Sequence, residues 1–511
     1  MTGGNKAMGA MVEKWGIFEL KLESKKSFLR PFLDVSLCAE FDNSVACRKV
    51  SGFYDGDGRW IIRYMPDRVG IHTYAIESDN DEFDKITGSF ECIGPSEGNH
   101  GPVCVDKNYH FSYADGTPFF VCGTTAYVWH YRPEEVRKKT LESFSRYGFN
   151  KIRMLFFPKK YSGGFSDVDI SYEPPCYPFT GTPGSFDFKT PNPEYFRNFE
   201  DRLRELAALG IEADVILFHP YDVGHWGIDK GMVDNDDLFY IRYITSRLSA
   251  FRNVWWSLAN EFDVFMLSDH YRSILKKSLD GWSIIGEYVK LNDPYGHLLS
   301  IHNFPYGIIY PDRSWMTHVS YQHPNTFSLL LDLKSRYRKP VINDEYQYEG
   351  NISDEWGNSS GELVLFRHWL TAMAGGYGTH GEVFVVNDNH KDLFWSYGGT
   401  MVGESAPRIR YMKDILESCP YQKMLPDFKY GDGQNSFVLK SEDDTYLFFY
   451  RKAIPGKRNR FGFFMDKNDK YEATLFDVWN CKIKEHSIVG PDHKFEIQDW
   501  TALRLIKKQN K

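Results

Sequence analysis

Several features that would assign a chain to a membrane, secreted or metal-binding class are missing from these 511 residues. No stretch of 18 or more apolar residues occurs, and the N-terminal segment MTGGNKAMGAMVEKW has no apolar core of a signal peptide. The eight cysteines are scattered, without a CxxC pair or a metal-binding spacing. We therefore expect no membrane span, reduced thiols and a cytoplasmic location. Secretion stays open if the residues before Met11 replace a native leader.

The chain has no excess of positive charge. Its net charge is −8 and no concentrated basic stripe occurs, which argues against nucleic acid and other polyanionic partners. Aromatic residues, in contrast, make up 16% of the chain, with 13 Trp and 32 Tyr. Large hydrophobic cores explain most of them, and the excess also suits a cleft that binds carbohydrate.

Three segments differ in pattern, in line with the two to four domains expected for 511 residues. Residues 11–95 contain short runs of β-forming residues bounded by turn sequences, and they predict an immunoglobulin-like β-sandwich. Residues 96–422 repeat a strand, a loop and a helix. Residues 423–511 return to short strands and predict a second β-sandwich. We expect the two flanking domains to brace the central one.

The central segment predicts an α/β fold, a (β/α)8 TIM barrel, because eight apolar runs alternate with helical patterns. One predicted helix is Pro193–Leu209, which has an Asn192 cap and ends at Gly210. A doubly wound open sheet is the alternative, and the lack of a GxGxxG sequence after the first strand weighs against it. The predicted strands are Phe119–Gly123, Lys151–Phe157, Asp214–Phe218, Val254–Ala259, Leu298–His302, Thr317–Tyr321, Val341–Asp344 and Gly378–Val383.

Two of these strands end in a carboxylate, in the runs VWWSLANE and PVINDE. Glu345 follows Glu261 by 84 residues, which is close to three βα units of about 30 residues and would place the acids across the barrel mouth. Glycosidic bond cleavage needs such a pair: one carboxyl protonates the leaving oxygen, and the other attacks or stabilises the anomeric carbon. Asp344 and Glu349 lie so close to Glu345 that the sequence alone does not choose among the three acids.

Polar and aromatic residues follow almost every predicted strand, at the end where barrel enzymes carry their active sites. Asn260 is placed to bond a sugar hydroxyl. Arg153 is the expected cation for an ionised Glu345, with the Tyr321 hydroxyl as a second donor. Trp226, in a loop flanked by glycines, is the best candidate for a sugar-stacking surface. The remaining candidates for substrate binding or support are His219, His302, Trp129 and Trp395.

Three histidines near predicted strand ends, His219, His302 and His380, raise the alternative of a metal-dependent hydrolase. The chain has neither an HxH pair nor an HExxH motif, which are typical of such sites. We therefore expect a reaction without metal or cofactor.

These residues resemble a known family. Asn260-Glu261 on the fourth strand and Glu345 on the seventh resemble the acid/base and nucleophile of clan A glycoside hydrolases, the cellulase-like barrels related to family 5. The run at residues 110–120, followed by Gly123-Thr124-Thr125, resembles the apiosidase-type branch, domain of unknown function 4038.

The flanking segments resemble two further domains. Residues 52–58 with Met65-Pro66-Asp67 resemble domain of unknown function 5060, a β-sandwich found before such barrels. Residues 476–480 with Ala502-Leu503-Arg504 resemble domain 5605.

The resemblance implies a retaining hydrolase of oligosaccharides or other glycosides. Glu345 would form a glycosyl-enzyme and Glu261 would act first as acid and then as base, with about 5–5.5 Å between the carboxyls. Supporting roles are implied for Arg153, His219 and Tyr321.

One departure separates this chain from the family pattern. Apiosidase-type barrels usually show Gly-Glu-Pro at the nucleophile, whereas this chain has Asp344-Glu345-Tyr346, so apiose is not assumed as the substrate. The bulky aromatics in the βα loops favour a pocket and exo-action. The alternatives are a carbohydrate-binding barrel without catalysis and a metal-dependent hydrolase.

Overall fold

The computed structural model of the chain describes residues 10–160, 173–222, 225–226, 234–264, 277–385, 393–453, 459–460 and 468–508. Eight parallel strands form its centre. They are β1 (Cys122–Thr125), β2 (Lys151–Leu155), β3 (Glu212–Phe218), β4 (Val254–Ala259), β5 (Leu299–Ser300), β6 (Val319–Gln322), β7 (Val341–Glu345) and β8 (Tyr377–His380).

The eight strands pair in the order β5-β4-β3-β2-β1-β8-β7-β6, so only the contact between β5 and β6 is not a strand ladder. A backbone hydrogen bond of 2.9 Å from the Thr317 N–H to the Leu299 carbonyl crosses that gap. The wall is therefore nearly closed, which confirms the predicted (β/α)8 barrel. The observed strand ends differ from the predicted ones by a few residues.

Helices cover the outside of the wall. Pro193–Ala208 follows its predicted range, because the Asn192 side chain accepts the Glu194 N–H and Gly210 adopts a φ of +67° just past the end. The helices are α1 (Glu134–Arg146), α2 (Pro193–Ala208), α3 (Asp234–Leu248), α4 (Leu279–Asn292), α5 (Phe327–Tyr337), α6 (Gly361–Met373), α7 (Phe394–Tyr397) and α8 (Ser405–Glu417). Residues 301–318, all of them described, contain no helix between β5 and β6.

A three-stranded sheet closes the amino-terminal end of the barrel. Its strands are Val103–Asp106, His110–Tyr113 and Pro118–Phe119. The Phe111 ring lies 5.3 Å from the rings of both Trp255 and Tyr377, which are at the starts of β4 and β8. This end is therefore filled with aromatic side chains, whereas a cavity lies at the carboxyl ends of the strands.

The N-terminal region is a β-sandwich, as predicted. A five-stranded and a three-stranded sheet pack around one core that contains Phe18, Phe41 and Tyr64. The first sheet contains Met11–Glu13, Thr87–Ile93, Gly70–Ser78, Leu37–Asp42 and Cys47–Ser51, and the second Phe18–Glu23, Arg59–Tyr64 and Phe53–Tyr54. A one-turn helix, Pro31–Asp34, precedes the strand Leu37–Asp42.

The C-terminal region is also rich in sheet. One face of its six-stranded antiparallel sheet packs on the barrel, where the Phe449 ring stacks on Trp369 of α6 at 4.4 Å. The strands are Met424–Pro426, Ser436–Ser441, Thr445–Tyr450, Thr501–Lys507, Tyr471–Asp477 and Lys482–Val489, and a separate ladder pairs Asn459–Arg460 with Lys494–Phe495. Phe495 of the second ladder packs into one core with residues of the large sheet, such as Phe448 and Leu503. The domain boundaries at residues 95/96 and 422/423 stay a prediction.

None of the helices among the described residues has the length and hydropathy that spanning a bilayer requires.

A buried ion-pair network joins the N-terminal sandwich to the barrel. Glu200 of α2 accepts hydrogen bonds from Arg63 of the sandwich at 2.7 Å and from Arg247 of α3 at 2.6 Å. Arg247 also donates to Asp55 of the sandwich at 2.8 Å. Burial opposes ionisation of Glu200, but the two guanidinium groups outweigh it and lower its pKa to about 2.

Glu200→Gln should therefore destabilise the protein. The substitution removes the carboxylate that Arg63 and Arg247 share and leaves each buried arginine with one remaining carboxylate, Glu19 and Asp55 respectively, so we expect a cost of roughly 2–3 kcal/mol. Chemical denaturation near pH 7 would measure the free energy of unfolding, and the exposed Asp201→Asn on the same helix is the control, expected within about 0.5 kcal/mol of wild type. Because the pKa of Glu200 is depressed, the stabilisation is present above about pH 4.5 and is lost as the pH falls towards 2. A loss below about 1 kcal/mol at pH 7 would contradict the ion-pair account.

Candidate active site

A cavity of about 490 Å³ lies at the carboxyl ends of the barrel strands. Glu261, two residues past the end of β4, and Glu345, the last residue of β7, both line it. The other lining residues are Tyr127, Lys159, Tyr221, Phe304, Pro305, Tyr306, Gln322, Pro324, Tyr346, Gln347, Tyr348, Asp354, Glu355, Trp356 and Trp395. The structure therefore brings together the two acids that the sequence predicted to face one cleft.

Glu345 is bound by three donors. The Arg153 Nη1 and the Tyr127 hydroxyl each donate to its Oε1 at 2.5 Å, and the Gln322 Nε2 donates to its Oε2 at 3.1 Å. Burial alone would raise the pKa of Glu345, but the Arg153 charge and these hydrogen bonds outweigh it and hold the pKa below its usual value. The His302 Nε2 lies 3.6 Å away, and burial lowers the pKa of that imidazole to about 3, so Arg153 supplies the positive charge. Glu345 is ionised at neutral pH.

Glu261 has a different environment. It accepts a hydrogen bond of 2.7 Å from the Tyr221 hydroxyl. Burial and the negative charge of Glu345 raise its pKa to about 8, which keeps the carboxyl largely protonated at neutral pH. Its backbone φ is +49°, in the left-handed region that non-glycine residues occupy at a cost of roughly 1–3 kcal/mol.

One asparagine connects the surroundings of the two acids. The Asn260 Oδ1 accepts a hydrogen bond from the Arg153 Nη2, and its Nδ2 donates to the Tyr221 hydroxyl at 2.5 Å. Arg153 in turn holds Glu345, and Tyr221 holds Glu261. A single buried chain of hydrogen bonds therefore fixes both carboxyls.

A β-bulge separates Asp344 from Glu345, two acids that the sequence alone could not tell apart. In the β6–β7 ladder Tyr321 pairs with Asn343 and Gln322 with Glu345, so Asp344 is an extra residue on β7. The Asp344 carboxylate accepts a hydrogen bond from Lys151 at 2.7 Å inside the barrel, and Asp344 does not line the cavity.

Lys159 is a charged residue of the cavity that sequence reasoning missed. Its ammonium lies 3.8 Å from the centre of the Tyr221 ring and 4.9 Å from that of Trp395. Burial lowers the pKa of Lys159 to about 8, against the opposing effect of Asp222 and Glu261. Lys159 lies past the predicted end of the second strand. The one signal in the sequence is a charged residue directly after the apolar run at residues 154–158.

The other predicted residues divide into two groups. Trp395 lines the cavity, while His302 lies beneath it and His219 supports Tyr221 by accepting its backbone N–H at 3.2 Å and stacking on its ring. Trp129 and Trp226 are buried and do not line the cavity, and the Trp226 Nε1 donates to Asp222. Trp226 therefore does not offer the stacking surface that its loop sequence suggested.

Tyr321 is also placed differently from the prediction. Its hydroxyl donates to the Thr326 carbonyl at 3.4 Å instead of to Glu345. The adjacent Gln322 takes that position, because the bulge in the β6–β7 ladder shifts the register by one residue. Tyr127 and Tyr221, the hydroxyl donors to the two glutamates, stood in the residues after β1 and β3 without being singled out.

The histidines of the metal alternative are separate. His219 bonds the Pro158 carbonyl at 2.8 Å and His302 bonds Ser320 at 3.0 Å. The one group among the described residues with the spacing of a metal site consists of Glu349, His380 and Glu382, which does not include either of them.

Comparisons with known proteins agree with this geometry. Residues 105–423 match the family described as apiosidase-like, catalytic domain, and residues 11–79 match the domain of unknown function DUF5060. No curated protein matches the chain. A solved candidate glycoside hydrolase from Bacteroides vulgatus ATCC 8482 is 34% identical, with a TM-score of 0.84 over 98% of this chain and 100% of that one.

More distant structures share the fold. A glycoside hydrolase is 15% identical, with a TM-score of 0.60 over 80% of this chain and 97% of that one. A family 5 glycoside hydrolase from Bacteroides vulgatus ATCC 8482 is also 15% identical, with a TM-score of 0.59 over 80% and 94%.

The fold and these comparisons define a glycoside hydrolase. The chain belongs to the apiosidase-like family and carries the DUF5060 domain ahead of its barrel, as the sequence motifs predicted. The resemblance of the tail to domain 5605 stays a prediction.

Glu261→Gln should stabilise the folded protein at neutral and alkaline pH. The carboxyl has a pKa of about 8 when folded and 4.5 ordinarily, so the folded state binds more protons between these values and loses stability as the pH rises through them. The neutral amide removes that loss. Melting temperatures of variant and wild type should agree near pH 4.5, diverge up to about pH 8 and keep a constant difference above it.

The exposed Glu362→Gln on α6 is the matched control and should leave the melting temperature unchanged at each pH. A variant that is no more stable than wild type at pH 9 would contradict a costly buried carboxyl at position 261.

Proposed function

We propose that the protein is a retaining glycosidase in which Glu345 is the nucleophile and Glu261 the general acid and base. The observation that carries this proposal is the opposite protonation of two carboxyls that line one cavity. Arg153 keeps Glu345 ionised, while burial raises the pKa of Glu261 to about 8. A nucleophile must be charged and a proton donor must hold its proton, so the pair has the division of roles that retention requires.

The reaction takes two displacements. In the first, a Glu345 oxygen bonds to the anomeric carbon while the bond to the leaving oxygen breaks and Glu261 transfers its proton to that oxygen. In the second, Glu261 removes a proton from a water molecule, whose oxygen bonds to the anomeric carbon and releases Glu345. Charge develops on the ring at both steps, and the buried Asn260 amide holds Arg153 and Tyr221, the donors to the two carboxyls, in position.

The cavity walls support exo-action on an oligosaccharide end. Tyr306, Trp356 and Trp395 line the cavity, and the two tryptophan rings are 5.0 Å apart. Such walls suit the stacking of one or two sugar rings in a pocket better than a long polymer in a groove. The residues that flank Glu345 differ from the Gly-Glu-Pro of the family, so the sugar unit is left to experiment.

We propose a cytoplasmic location because all eight cysteines are unpaired thiols.

Glu345→Ala should abolish cleavage of aryl glycosides, and added azide should partly restore it. Azide fits the space of the missing carboxylate and attacks the anomeric carbon, which yields a glycosyl azide of inverted configuration. Glu261→Ala should lower kcat by about 10²–10⁴-fold with substrates that have poor leaving groups, and less with activated ones. A panel of aryl α- and β-glycosides followed by product NMR would measure both effects.

Glu355→Ala is the matched control, because Glu355 is an exposed acid on the rim of the same cavity. Its residual activity should not respond to azide. Full activity of Glu345→Ala would reject the assignment, and wild-type product of inverted configuration would reject retention. Binding of oligosaccharide without cleavage would favour the carbohydrate-binding alternative.

Lys159→Met should move the alkaline limb of the pH–rate profile to higher pH. The Lys159 ammonium favours the ionised form of Glu261, whereas Glu345 and Asp263 oppose it, so removal of the cation raises the pKa of the acid. The profile of kcat/KM reports the free enzyme. Lys160→Met, one residue on and outside the cavity lining, should leave the limb in place. A shift to lower pH would contradict this electrostatic role.

A further inference from the structure

A second cluster of ionisable side chains lies behind the cavity wall. Glu349, His380 and Glu382 are all buried, and one potential ligand atom from each lies within 4.8 Å of the others. We propose that these three residues bind one divalent first-row metal ion, Zn²⁺ or Mn²⁺, at a structural site separate from the two catalytic glutamates.

The two carboxylates converge on one short segment of backbone. Glu349 accepts the N–H groups of Glu404 at 2.7 Å and Ser405 at 2.9 Å, and Glu382 accepts those of Val402 at 2.7 Å and Gly403 at 3.0 Å. Neither carboxylate forms an ion pair with a basic side chain in the described part of the chain. Two buried acids held together by neutral donors leave a negative charge that a cation would balance.

The His380 imidazole supplies an independent indication of a ligand. Its Nδ1 lies 3.1 Å from the Thr124 hydroxyl, while its Nε2 is buried and has no hydrogen-bond partner among the described residues. If Nδ1–H donates to the threonine oxygen, Nε2 keeps a free lone pair. In a histidine that binds a metal through one ring nitrogen, a hydrogen bond from the other ring nitrogen typically fixes the tautomer.

Gly403 keeps the space between the two carboxylates open. A Cβ at this position would lie 2.6 Å from the Glu349 Oε2 and 2.7 Å from the Glu382 Oε2. Both distances are too short for any side chain to be accepted without displacement of a carboxylate. The glycine therefore allows one oxygen of each acid to face the same point.

The donor set selects the kind of ion. One imidazole nitrogen with carboxylate oxygens suits Zn²⁺ or Mn²⁺, whereas Ca²⁺ and Mg²⁺ prefer oxygen ligands alone. Ligands at about 2.0–2.2 Å from a shared ion lie at most about 4.4 Å apart, so a small inward movement of the side chains completes the site.

The position of the ion indicates its effect. Glu349–Gly350 and Glu382–Val383 form a two-stranded parallel ladder, and residues 402–405 lead into α8. Tyr348, directly before Glu349, lines the active-site cavity. The ion would therefore join the wall of the cavity to the start of α8 and stabilise both, without contact with the reacting atoms.

Metal analysis and thermal denaturation of the full-length protein test the proposal. Protein equilibrated with Zn²⁺ or Mn²⁺ and then desalted should retain about one ion per chain, and its melting temperature should rise saturably with metal and fall again with EDTA. Bound Co²⁺ should give a visible d–d absorption band that reports its coordination geometry. His380→Gln and Glu382→Gln should lose the ion, the band and the metal-dependent shift.

His318→Gln is the matched control, because His318 is also buried with an unpartnered Nε2 among the described residues but lies near Trp255, at the start of β4. It should retain the ion even if it is less stable. Wild-type protein that holds no ion and shows no metal-dependent shift overturns the proposal, and the two carboxyls then share a proton. Retention of the ion by both cluster variants also overturns it. Since wild type alone decides the first outcome, misfolded variants do not prevent the test.

Discussion

The Arg153 guanidinium is the charge on which the arrangement of the active site depends. It is buried inside the barrel, donates to Glu345 and Asn260, and stands two residues after Lys151 on β2. Because side chains of a strand alternate, Lys151 and Arg153 both face the interior, one layer apart. Lys151 binds Asp344 in the lower layer. The barrel interior thus holds two layers of ion pairs, Lys151 with Asp344 below and Arg153 with Glu345 above. Of these two acids, Glu345 lines the cavity and Asp344 does not.

These layers explain why two glutamates of one cavity differ. Glu345 receives the guanidinium, whereas Glu261 accepts a tyrosine hydroxyl and experiences burial and the repulsion of Glu345, which together outweigh the Lys159 charge. The ionised acid thus raises the pKa of its partner, so the protonation of one carboxyl depends on the charge of the other. The opposite protonation of the two carboxyls therefore depends mainly on the Arg153 charge, which reaches Glu345 directly.

Much of the fold was readable from the sequence, because the barrel strands are continuous apolar runs and α2 carries both its cap and its terminal glycine. The position of Glu261 and Glu345 at one cavity was predictable too, since strand ends determine what reaches the mouth of a barrel. The choice between Asp344 and Glu345, and between Tyr321 and Gln322, was not. A single bulge decides both, and it depends on how β6 pairs with β7 rather than on either strand alone. The positions of loop side chains, such as those of Trp226 and Lys159, could not be predicted from the pattern of strands either.

The strain at Glu261 fits the same account. A non-glycine residue in the left-handed region and a buried, desolvated carboxyl both oppose folding at this position, and each persists only when its surroundings overdetermine it. Two features surround Glu261 here. Asn260 donates a hydrogen bond to the Tyr221 hydroxyl, and strand β4 ends two residues before Glu261. Relief of either cost would let the carboxyl turn towards water, where its proton would be lost at neutral pH. Strain and an elevated pKa are therefore two consequences of holding one buried acid beside the Glu345 charge.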